Sequence, residues 1–353
     1  MREDVRVAIL TPYGPSSPVG GVEIFNESLR RTLGNVEVFA GDVSEPRLPF
    51  RDLRRLGLEQ PVGAMRAARL LLRRHREAPF DVILGNGVYG WPLGLARLDV
   101  PMVQVYHFTM AGLARHALTL RGDRLTTAHV TAFFDRIAGF GKHVVAVSPR
   151  VVREVETFYG LKPLLIPLSV DTQTFRPANA LSARAALGLP QQAPIGLFVG
   201  RTDLTKGYDT LVRVAQRMPN ILFVVAGGEA GKTHNVWSLG RIAHEDLRLW
   251  YAASDFFFLP SRYEGFGLAL LEALSCNLPA VVSEAAWPFA EDPSECGVVV
   301  RTDSEDDFVD AIRFVVEARR RFSPRKFIVP RYDFAAFQNN WRGFLETVVD
   351  AGG

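Results

Sequence analysis

Apolar residues occur along this chain in short runs, which segments of helical periodicity or turn residues separate. In the first half the runs are VRVAIL, VEVFA, DVILG, MVQVYHF and HVVAVS. A second series follows from residue 194 with PIGLFVG, ILFVVAG, NVWSLG, DFFFLP and PAVVS. Short apolar runs bounded by turn signals are typical of buried strands, and strands that alternate with helices form parallel sheets. The pattern therefore predicts an α/β protein with two strand-helix series.

A change in composition separates the two series. The stretch PLSVDTQTFRPANA, residues 167–180, is rich in proline, threonine and asparagine, as linkers are. We therefore predict an N-terminal domain over 1–170, a second domain over 171–325 and a C-terminal helix over 326–353. This helix is expected to pack back toward the N-terminal domain, because its apolar residues recur at helical spacing. They are Phe334, Phe337, Trp341, Phe344 and Val348.

Composition limits the class of protein. Of the 353 residues, 48% are hydrophobic and 22% are charged, which is typical of a soluble globular protein. The net charge of +3 is too small to indicate binding of nucleic acid. The N-terminus has no apolar signal segment, and Cys276 and Cys296 lack the spacing of metal ligands. We expect a cytoplasmic protein with no membrane span and no nucleic-acid partner.

Basic residues follow the first strand of the second series. In open α/β sheets, ligands bind outside the carboxyl ends of the strands, and two such domains predict a site in the cleft between them. Arg201 comes directly after the run GLFVG, and Lys206 precedes the next helix. An arginine and a lysine at that edge can clamp the two phosphates of a diphosphate. The alternative is a pair of surface charges in a basic loop.

Two carboxylates stand in an apolar segment, SRYEGFGLALLEALSCNLPAVVS, which begins at Ser261. The pattern predicts a strand, a loop with Gly265 and Gly267, a helix and another strand. Glycines beside a helix N-terminus let backbone N–H groups approach an anion closely. Glu264 in the loop and Glu272 in the helix can accept hydrogen bonds from sugar hydroxyls. These features predict a ligand that carries both phosphate and hydroxyl groups.

Two further positions follow strands of the first series. Gly20 and Gly21 lie in the first strand-to-helix loop, PYGPSSPVGGVEIF, which lacks the GxGxxG spacing. A plain tight turn explains these glycines equally well. His107 ends the run VQVYHF, where a histidine is either a satisfied structural residue or, because of its place at a strand end, a functional one.

Other chemistries are less well supported. AGGEAGKT, residues 226–233, matches a loose phosphate-loop pattern, but such a loop opens directly into a helix and the strand-like THNVWSLG follows here. No two aspartates are separated by a single residue, and no metal-ligand cluster is evident. We therefore expect a site without metal, in which Arg201, Lys206 and helix N-termini neutralise charge.

The stretch Arg51–Glu77 contains eight arginines and three acidic residues around small apolar clusters. This composition is found on helices that lie on a membrane surface, which would place the protein peripherally on the inner face of the membrane. The alternative is a solvated helix face, which the composition favours.

The order of these features resembles that of the retaining, nucleotide-sugar-dependent glycosyltransferases of family 4. The resemblance covers nearly the whole chain, and its most specific stretch is LGRIAHEDLRLWYAASDFFFLPSRYEGFGLALLEAL. It implies the GT-B fold, an α/β architecture of two Rossmann-like domains that face each other across a cleft. The Glu-x7-Glu pair of the family corresponds to Glu264 and Glu272 here.

The resemblance also implies roles for the residues. Glu264 would face the transferred sugar, and Glu272 would accept the ribose hydroxyls. Arg201 and Lys206 match the diphosphate-binding pair, and His107 matches a histidine near the sugar. The remaining donor-binding positions that the resemblance implies are Gly20, Gly21, Arg241, Ile242, Gly265, Phe266, Gly267 and Leu268, of which Arg241 and Ile242 would lie beside the nucleobase.

The implied activity is transfer of a sugar, with retention, from a UDP- or GDP-linked donor to a hydroxyl acceptor, without a further cofactor. The acceptor (glycan, lipid-linked or small molecule) stays open. The alternatives are a nucleotide-sugar epimerase or phosphorylase of the same fold and a non-catalytic sugar-nucleotide binding protein. The chain departs from the family in the region after ILFVVAGG, which is shorter than usual, so a helix is expected to be missing there.

Overall fold

The computed structural model describes residues 5–14, 20–41, 56–95, 98–118 and 125–352. The chain divides into two compact units. The first unit comprises Met1–Leu168 with Phe337–Gly353, and the second comprises Ser169–Ala336. The division falls inside the linker segment 167–180. Residues 326–336, which the sequence analysis groups with the terminal helix, belong to the second unit.

A six-stranded sheet forms the centre of the first unit. Its strands are β1 (Val7–Thr11), β2 (Val36–Ala40), β3 (Val82–Asn86), β4 (Met102–Tyr106), β5 (His143–Ala146) and β6 (Leu164–Leu165). The spatial order is β2-β1-β3-β4-β5-β6, and every neighbouring pair is parallel. The chain changes direction across the sheet between β1 and β3. At such a switch point a doubly wound sheet leaves a crevice for a ligand.

Helices cover this sheet in the described part of the first unit. They are α1 (Gly21–Leu33), α2 (Glu59–Glu77), α3 (Met110–His116), α4 (Ala132–Ala138) and α5 (Pro149–Glu154). A 3₁₀ segment over Gly87–Leu95 follows β3, and π-helical turns over Thr127–Thr131 and Val155–Tyr159 adjoin α4 and α5.

Helix α2 contains most of the arginine-rich stretch, whose residues 51–55 lie outside the described residues. One face of α2 is buried, because Ala64, Ala67 and Leu71 pack in the core of the unit. The opposite face is exposed and carries Leu70 among arginines. In the described part of the chain, no helix combines the length and low polarity that crossing a bilayer requires.

The last helix, α12 (Phe334–Gly352), lies against α1 of the first unit. The rings of Phe337 and Trp341 contact the Phe25 ring edge-on, with centroids 6.1 and 5.4 Å apart. The Arg342 guanidinium donates to the Thr32 carbonyl at 2.9 Å. The apolar stripe of the tail therefore faces the element that follows β1.

The second unit contains another six-stranded, mostly parallel sheet. Its strands are β7 (Ile195–Val199), β8 (Leu222–Thr233), β9 (Val236–Gly240), β10 (Phe256–Leu259), β11 (Ala280–Ser283) and β12 (Gly297–Val300). The order β12-β11-β10-β7-β8-β9 is that of a Rossmann sheet, with its switch point between β7 and β10. Strand β12, and β6 in the first unit, are absent from the predicted series.

α-Helices connect some of the strands of the second unit and extend beyond β12. They are α6 (Ala180–Ala186), α7 (Tyr208–Arg217), α8 (Leu247–Ala253), α9 (Leu268–Ser275), α10 (Glu305–Glu317) and α11 (Pro324–Tyr332). Helix α7 joins β7 to β8, α9 joins β10 to β11, and α8 precedes β10. The loops at the switch point are therefore those that lead into α7 and α9.

Strand β8 reverses its direction at Gly227 and Gly228. Residues 223–225 run parallel to β9, whereas residues 230–233 return along its other side in the opposite direction. No helix lies between β8 and β9, as expected from the shortness of this region. The structure excludes the phosphate-loop alternative, because Lys232 lies in a strand, with Nζ 4.0 Å from the centroid of the Trp237 ring.

Candidate active site

The loops that follow β7 and β10 are in backbone contact at the switch point of the second unit. The Arg262 N–H donates to the Thr205 carbonyl at 2.8 Å. Gly207 has a φ of 70°, and a Cβ there would lie 1.9 Å from the Pro260 carbonyl oxygen. A side chain at this position would prevent the close approach. Gly207 therefore permits the two loops to share one edge of the sheet.

Lys206 and Glu264 meet across this contact. Lys206 Nζ lies 2.6 Å from Glu264 Oε1, and the Ser261 hydroxyl donates to the same oxygen at 2.9 Å. The Glu264 side chain is only 8% exposed, and that of Lys206 is 23% exposed. Glu264 Oε2 accepts no hydrogen bond from the described residues. The pair thus joins a buried carboxylate to a cation that reaches the surface.

Asp203 links Arg201 to the same loop. Its Oδ2 accepts from Arg201 Nε at 2.7 Å, and its Oδ1 accepts from the Lys206 backbone N–H at 3.0 Å. The Arg201 side chain is 70% exposed, so its guanidinium is solvated. A surface ion pair of this kind restrains a side chain weakly. Arg201 can therefore turn toward a phosphate at small cost.

A second ion pair, which the sequence analysis does not identify, braces the two loops. The Arg262 guanidinium donates twice to the Asp209 carboxylate, at 2.6 and 2.7 Å, and once to the Leu204 carbonyl at 2.6 Å. The hydrogen bonds from Arg262 hold the pKa of Asp209 well below its usual range. Arg262 directly precedes Tyr263 and Glu264 in the sequence, and Asp209 lies in the first turn of α7. The brace therefore fixes the Lys206 and Glu264 loops relative to each other.

Glu272 lies apart from Lys206, in the middle of α9, and is almost completely buried. Its Oε1 contacts His244 Nε2 at 2.7 Å, and its Oε2 accepts from the Tyr251 hydroxyl at 2.8 Å. A carboxylate can accept about four hydrogen bonds, so two acceptor positions remain. The two protein donors fix the plane of the carboxylate and do not use its other two acceptor positions.

His244 was not identified from the sequence. It follows the carboxyl end of β9 in the segment RIAHED, and this strand-end position is the signal that could have identified it. Burial works to lower the pKa of His244, but the hydrogen bond and the negative charge of Glu272 outweigh burial, so the pKa is raised. The Phe175 ring packs against the imidazole, with centroids 5.1 Å apart. His244 is therefore poised to form an ion pair with Glu272.

The glycine-containing loop leads directly into α9. Gly267 has a φ of 82° at the N-cap, a left-handed conformation that favours glycine, and Leu268 is the first helical residue. The Phe266 ring is buried and contacts the rings of Phe289 and Tyr332 edge-on. Its anchoring in the core holds the backbone of Gly265 and Gly267 at the start of the helix, where N–H groups have no intrahelical partner.

The two residues that the resemblance assigns to the nucleobase lie between β9 and His244. Gly240 ends the strand with a φ of 75°, exposed Arg241 follows, and Ile242 is half-buried. Their place beside His244 in the sequence puts them on the same strand end as the partner of Glu272.

In the first unit, Gly20 and Gly21 lie at the start of α1. Gly20 is the N-cap with an extended backbone, and Gly21 is the first helical residue, whereas residues 15–19 lie outside the described residues. Glu23 lies in the first turn of α1, and burial raises the pKa of its carboxyl group against the opposing effect of the backbone N–H groups nearby.

His107 belongs to a buried chain of polar side chains at the switch point of the first unit. Its Nε2 lies 3.0 Å from Asn86 Oδ1. Asn86 Nδ2 donates to Asn26 Oδ1 at 2.9 Å, and Asn26 Nδ2 donates to the Thr11 hydroxyl oxygen at 3.1 Å. Thr11 and Asn86 end β1 and β3, and His107 follows β4. The sequence pattern indicates His107 as a functional residue but neither asparagine.

The imidazole of His107 is kept uncharged. Burial lowers its pKa to about 3, and among the described residues Nδ1 has no hydrogen-bond partner. The edge of the Phe25 ring packs against the imidazole, with centroids 4.7 Å apart. An uncharged histidine at neutral pH can accept a hydrogen bond, but it is a poor proton donor.

Each unit thus gathers a subset of the predicted residues. The first contains Gly20, Gly21 and His107. In the second, Lys206 contacts Glu264 directly and Asp203 connects Arg201 to them, while Glu272 lies with His244. Within the described part of the chain, no group of three or more histidine, cysteine, aspartate or glutamate side chains could hold a metal ion.

Comparison with known structures supports the architecture. Sucrose-phosphate synthase from Thermosynechococcus elongatus superimposes with a TM-score of 0.83 over 98% of this chain and all of its own, at 20% identity. HepE from Anabaena, in complex with UDP-glucose, superimposes with a TM-score of 0.75 over 97% of this chain and 99% of its own, at 17% identity. At such identities the likeness shows the fold, which is GT-B.

Comparisons of sequence identify the family. The family model Glycosyltransferase Family 4 matches residues 2–174, and Glycosyl transferases group 1 matches residues 181–328. A D-inositol 3-phosphate glycosyltransferase of Xylanimonas cellulosilytica is 32% identical over 79% of this chain and 80% of its own length. The protein of the same name from Mycobacterium tuberculosis is 29% identical to this chain. The match covers 75% of this chain and 60% of the length of that relative. The chain belongs to the family 4 glycosyltransferases and is a glycosyltransferase enzyme.

Proposed function

We propose that this enzyme transfers a sugar from a UDP- or GDP-linked donor to a hydroxyl acceptor, with retention at the anomeric carbon and without a metal ion. The observation that carries the proposal is the contact between Lys206 and Glu264 at the switch point of the second unit. A cation and a carboxylate at the same strand ends match a donor that carries a diphosphate beside a hydroxylated sugar.

The donor class is supported from two directions. The structure of HepE, a protein of the same fold, was determined with UDP-glucose. In this chain, Glu272 keeps two acceptor positions while His244 and Tyr251 hold it in place, which suits the vicinal hydroxyls of a ribose. The charge on Glu272 would disfavour a phosphate at the same point. Ribose at Glu272 and diphosphate at Lys206 and Arg201 therefore form a consistent set of assignments.

The proposed reaction begins when the bond between the anomeric carbon and the diphosphate oxygen breaks. The electron pair goes to the phosphate, and Lys206 and Arg201 stabilise the negative charge that develops there. The acceptor oxygen attacks the anomeric carbon on the face that the phosphate leaves. Its proton passes to a phosphate oxygen, so that the products are the glycoside and the protonated nucleoside diphosphate.

The surroundings of Glu264 support this same-face attack. Double displacement would need a carboxylate nucleophile on the face opposite the leaving group. Glu264 Oε1 already accepts hydrogen bonds from Lys206 Nζ and the Ser261 hydroxyl, and these contacts lower the nucleophilicity of the carboxylate. Its open Oε2 is better suited to accept a hydrogen bond from a sugar hydroxyl. The role proposed for Glu264 is therefore to orient and stabilise the sugar.

The names of the relatives suggest which acceptor should be tested first. These proteins are named D-inositol 3-phosphate glycosyltransferases, so a phosphorylated polyol is the first acceptor to test, before glycans and lipid-linked acceptors. An epimerase or phosphorylase would act without a hydroxyl acceptor or with inorganic phosphate. A non-catalytic binding protein would bind the donor without turnover.

The test is a donor screen with UDP-, GDP- and ADP-linked sugars, with each acceptor and without one. We expect acceptor-dependent release of one nucleoside diphosphate, detected by mass spectrometry, and NMR of the glycoside should show the anomeric configuration of the donor. Turnover independent of acceptor would favour the epimerase alternative, and an inverted product would refute the mechanism. Lys206→Ala is the variant that should lose turnover, with Lys232→Ala as its matched control.

A further inference from the structure

The hydrogen bonds in the buried chain of polar side chains in the first unit are donated in one direction: Asn86 donates to Asn26, and Asn26 donates to Thr11. Thr11, Asn26 and Asn86 are at least nine-tenths buried, so each side-chain group depends on the next for its hydrogen bond. Asn86 uses its amide N–H₂ on Asn26, and therefore presents its carbonyl oxygen to His107. A carbonyl oxygen can only accept. With the amides oriented in this way, His107 Nε2 carries the proton in this contact.

The direction of the chain leaves one buried nitrogen of His107 without a hydrogen-bond partner in the described part of the protein. With the proton on Nε2, Nδ1 carries a lone pair, and no described residue donates to it. His107 is 9% exposed, so little water reaches the ring, and a buried polar atom without a partner destabilises the free protein. His107 directly follows β4 and so lies at the carboxyl edge of the sheet, where ligands of such sheets bind.

We propose that Asn86 is a positioning residue, which holds His107 as the Nε2–H tautomer so that Nδ1 accepts a hydrogen bond from a hydroxyl of the sugar ligand. The identity of the ligand as a sugar rests on the proposed function. A bare nitrogen lone pair repels phosphate and carboxylate oxygens, so the group that it binds is a hydroxyl donor. Asn86 thus makes this position select hydroxyls and reject anions.

The electrostatics of the site agree with this tautomer. Burial lowers the pKa of His107 to about 3, so the ring stays uncharged throughout the neutral range. The group that faces the imidazole from β3 is the neutral amide of Asn86, and Phe25 faces it from α1. No carboxylate among the described residues contacts the ring. A carboxylate in place of Asn86 would instead stabilise the imidazolium and place a proton on Nδ1.

The first arm of the test measures the tautomer in the free protein by ¹⁵N NMR of the histidine rings, with His107 assigned from its absence in His107→Gln. We expect a protonated Nε2 and a bare Nδ1 at neutral pH. In Asn86→Leu the tautomers should mix, and in Asn86→Asp both nitrogens should be protonated at neutral pH. A protonated Nδ1 in the wild type, or an unchanged tautomer in both variants, would overturn the proposal.

The second arm measures kinetics with the donor found in the screen. Losing one oriented hydrogen bond of a buried group corresponds to about a three- to tenfold change. We expect Asn86→Leu to lower kcat/KM for the sugar donor by about that factor or more, with unchanged affinity for the free nucleoside diphosphate. Asn86→Asp should lose activity at neutral pH and recover it as the pH is raised, whereas a purely structural asparagine would give no such recovery. Thermal melts identify a variant that does not fold.

The two arms separate this proposal from the function on which it rests. If the wild type turned over no sugar nucleotide, the proposed function would fail, and the kinetic role of Asn86 would fail with it. The ¹⁵N measurement on the free protein would still decide whether Asn86 sets the tautomer. If the wild type turned over the donor and neither Asn86→Leu nor Asn86→Asp changed the kinetics, the inference about Asn86 would be wrong, while the proposed function would stand.

Discussion

Lys206 Nζ and Glu264 Oε1 are 2.6 Å apart, so the cation proposed for the leaving phosphate is held by the carboxylate proposed for the sugar. A lysine ammonium has three N–H donors, and Glu264 uses one of them. Two donors remain for phosphate oxygens. The contact therefore leaves the ammonium free to act on the phosphate as the proposed reaction requires.

Replacing Lys206 should lower the rate more than the affinity. The charge of its ammonium matters most when negative charge builds on the departing phosphate, so we expect Lys206→Ala to reduce kcat by about 100- to 1,000-fold. Lys232→Ala removes a lysine of the same unit that stacks on Trp237, and it should leave turnover unchanged. Steady-state kinetics on both variants measure the difference. Equal, small effects in the two would remove Lys206 from the donor site.

Arg201 is exposed, so its removal should change stability by no more than about 0.5 kcal/mol. We nevertheless expect Arg201→Ala to lower kcat by a factor approaching 100, because the guanidinium turns from Asp203 to the phosphate. Arg217→Ala, which removes an ion pair with Asp306, is the matched control. The Arg201→Ala/Lys206→Ala double variant should lose less than the product of the single effects, because both residues act on one diphosphate.

The two glutamates should affect different steps. Glu272→Ala removes a charged acceptor from the ribose, so we expect at least a tenfold weaker affinity for the nucleoside diphosphate by calorimetry. Glu264→Gln should instead lower turnover, while affinity for the nucleoside diphosphate, which lacks the sugar, is unchanged or increased. If Glu272→Ala bound the nucleotide as tightly as wild type does, Glu272 would have no role at the ribose.

Stability should depend on pH through His244. Its pKa is raised in the folded protein, so the stabilising ion pair with Glu272 is fully present below the ordinary value of 6.5 and is lost as the pH rises through the raised value. Thermal melts should show the wild type more stable than His244→Gln by on the order of a few degrees near pH ~6, with a smaller difference near pH ~9.

Glutamine suits this comparison because it can still donate one hydrogen bond to Glu272 but cannot become charged. A difference in Tm that stayed constant over the whole pH range would mean that His244 acts through packing against Phe175 and not through its charge.

Chelation should not affect the reaction. In the proposed mechanism Lys206 and Arg201 neutralise the charge on the phosphate, so we expect activity within about twofold of normal after dialysis against EDTA. Restoration of a lost activity by Mg²⁺ or Mn²⁺ would contradict this assignment. Lys206→Ala, measured with and without added metal, shows whether a cation in solution can replace the ammonium.

The parallel strands could be predicted wherever an apolar run has clear limits. Phe256–Leu259 stands between an aspartate and a proline, and its length and bounds define it. Gly297–Val300 has the same length and is buried at its ends, but it begins with a glycine and the polar segment EDPSEC, residues 291–296, leads into it. Its partner β11 supplies the hydrogen bonds that make it a strand, and such pairing does not show in local sequence.

In the candidate site, too, local sequence indicates some residues and not others. Glu264, Glu272, Lys206 and Arg201 occupy positions that loop and helix signals mark. Asn86 and His244 act on residues 21 and 28 positions away, through contacts that exist after the sheet order has formed. An asparagine at the end of a strand and a histidine in a polar loop are common, so their chemistry depends on the partner that folding brings to them.

The reversal of β8 also determines what the second unit offers to other chains. Without residues 230–233, β9 would be an edge strand, with a free row of backbone N–H and C=O groups that can recruit a strand from another molecule. The returning segment occupies that row and is itself short and exposed; it carries Lys232, and Glu229 directly precedes it. Charged residues on a short edge disfavour intermolecular pairing. The segment that resembles a nucleotide-binding loop in sequence thus protects the sheet against aggregation.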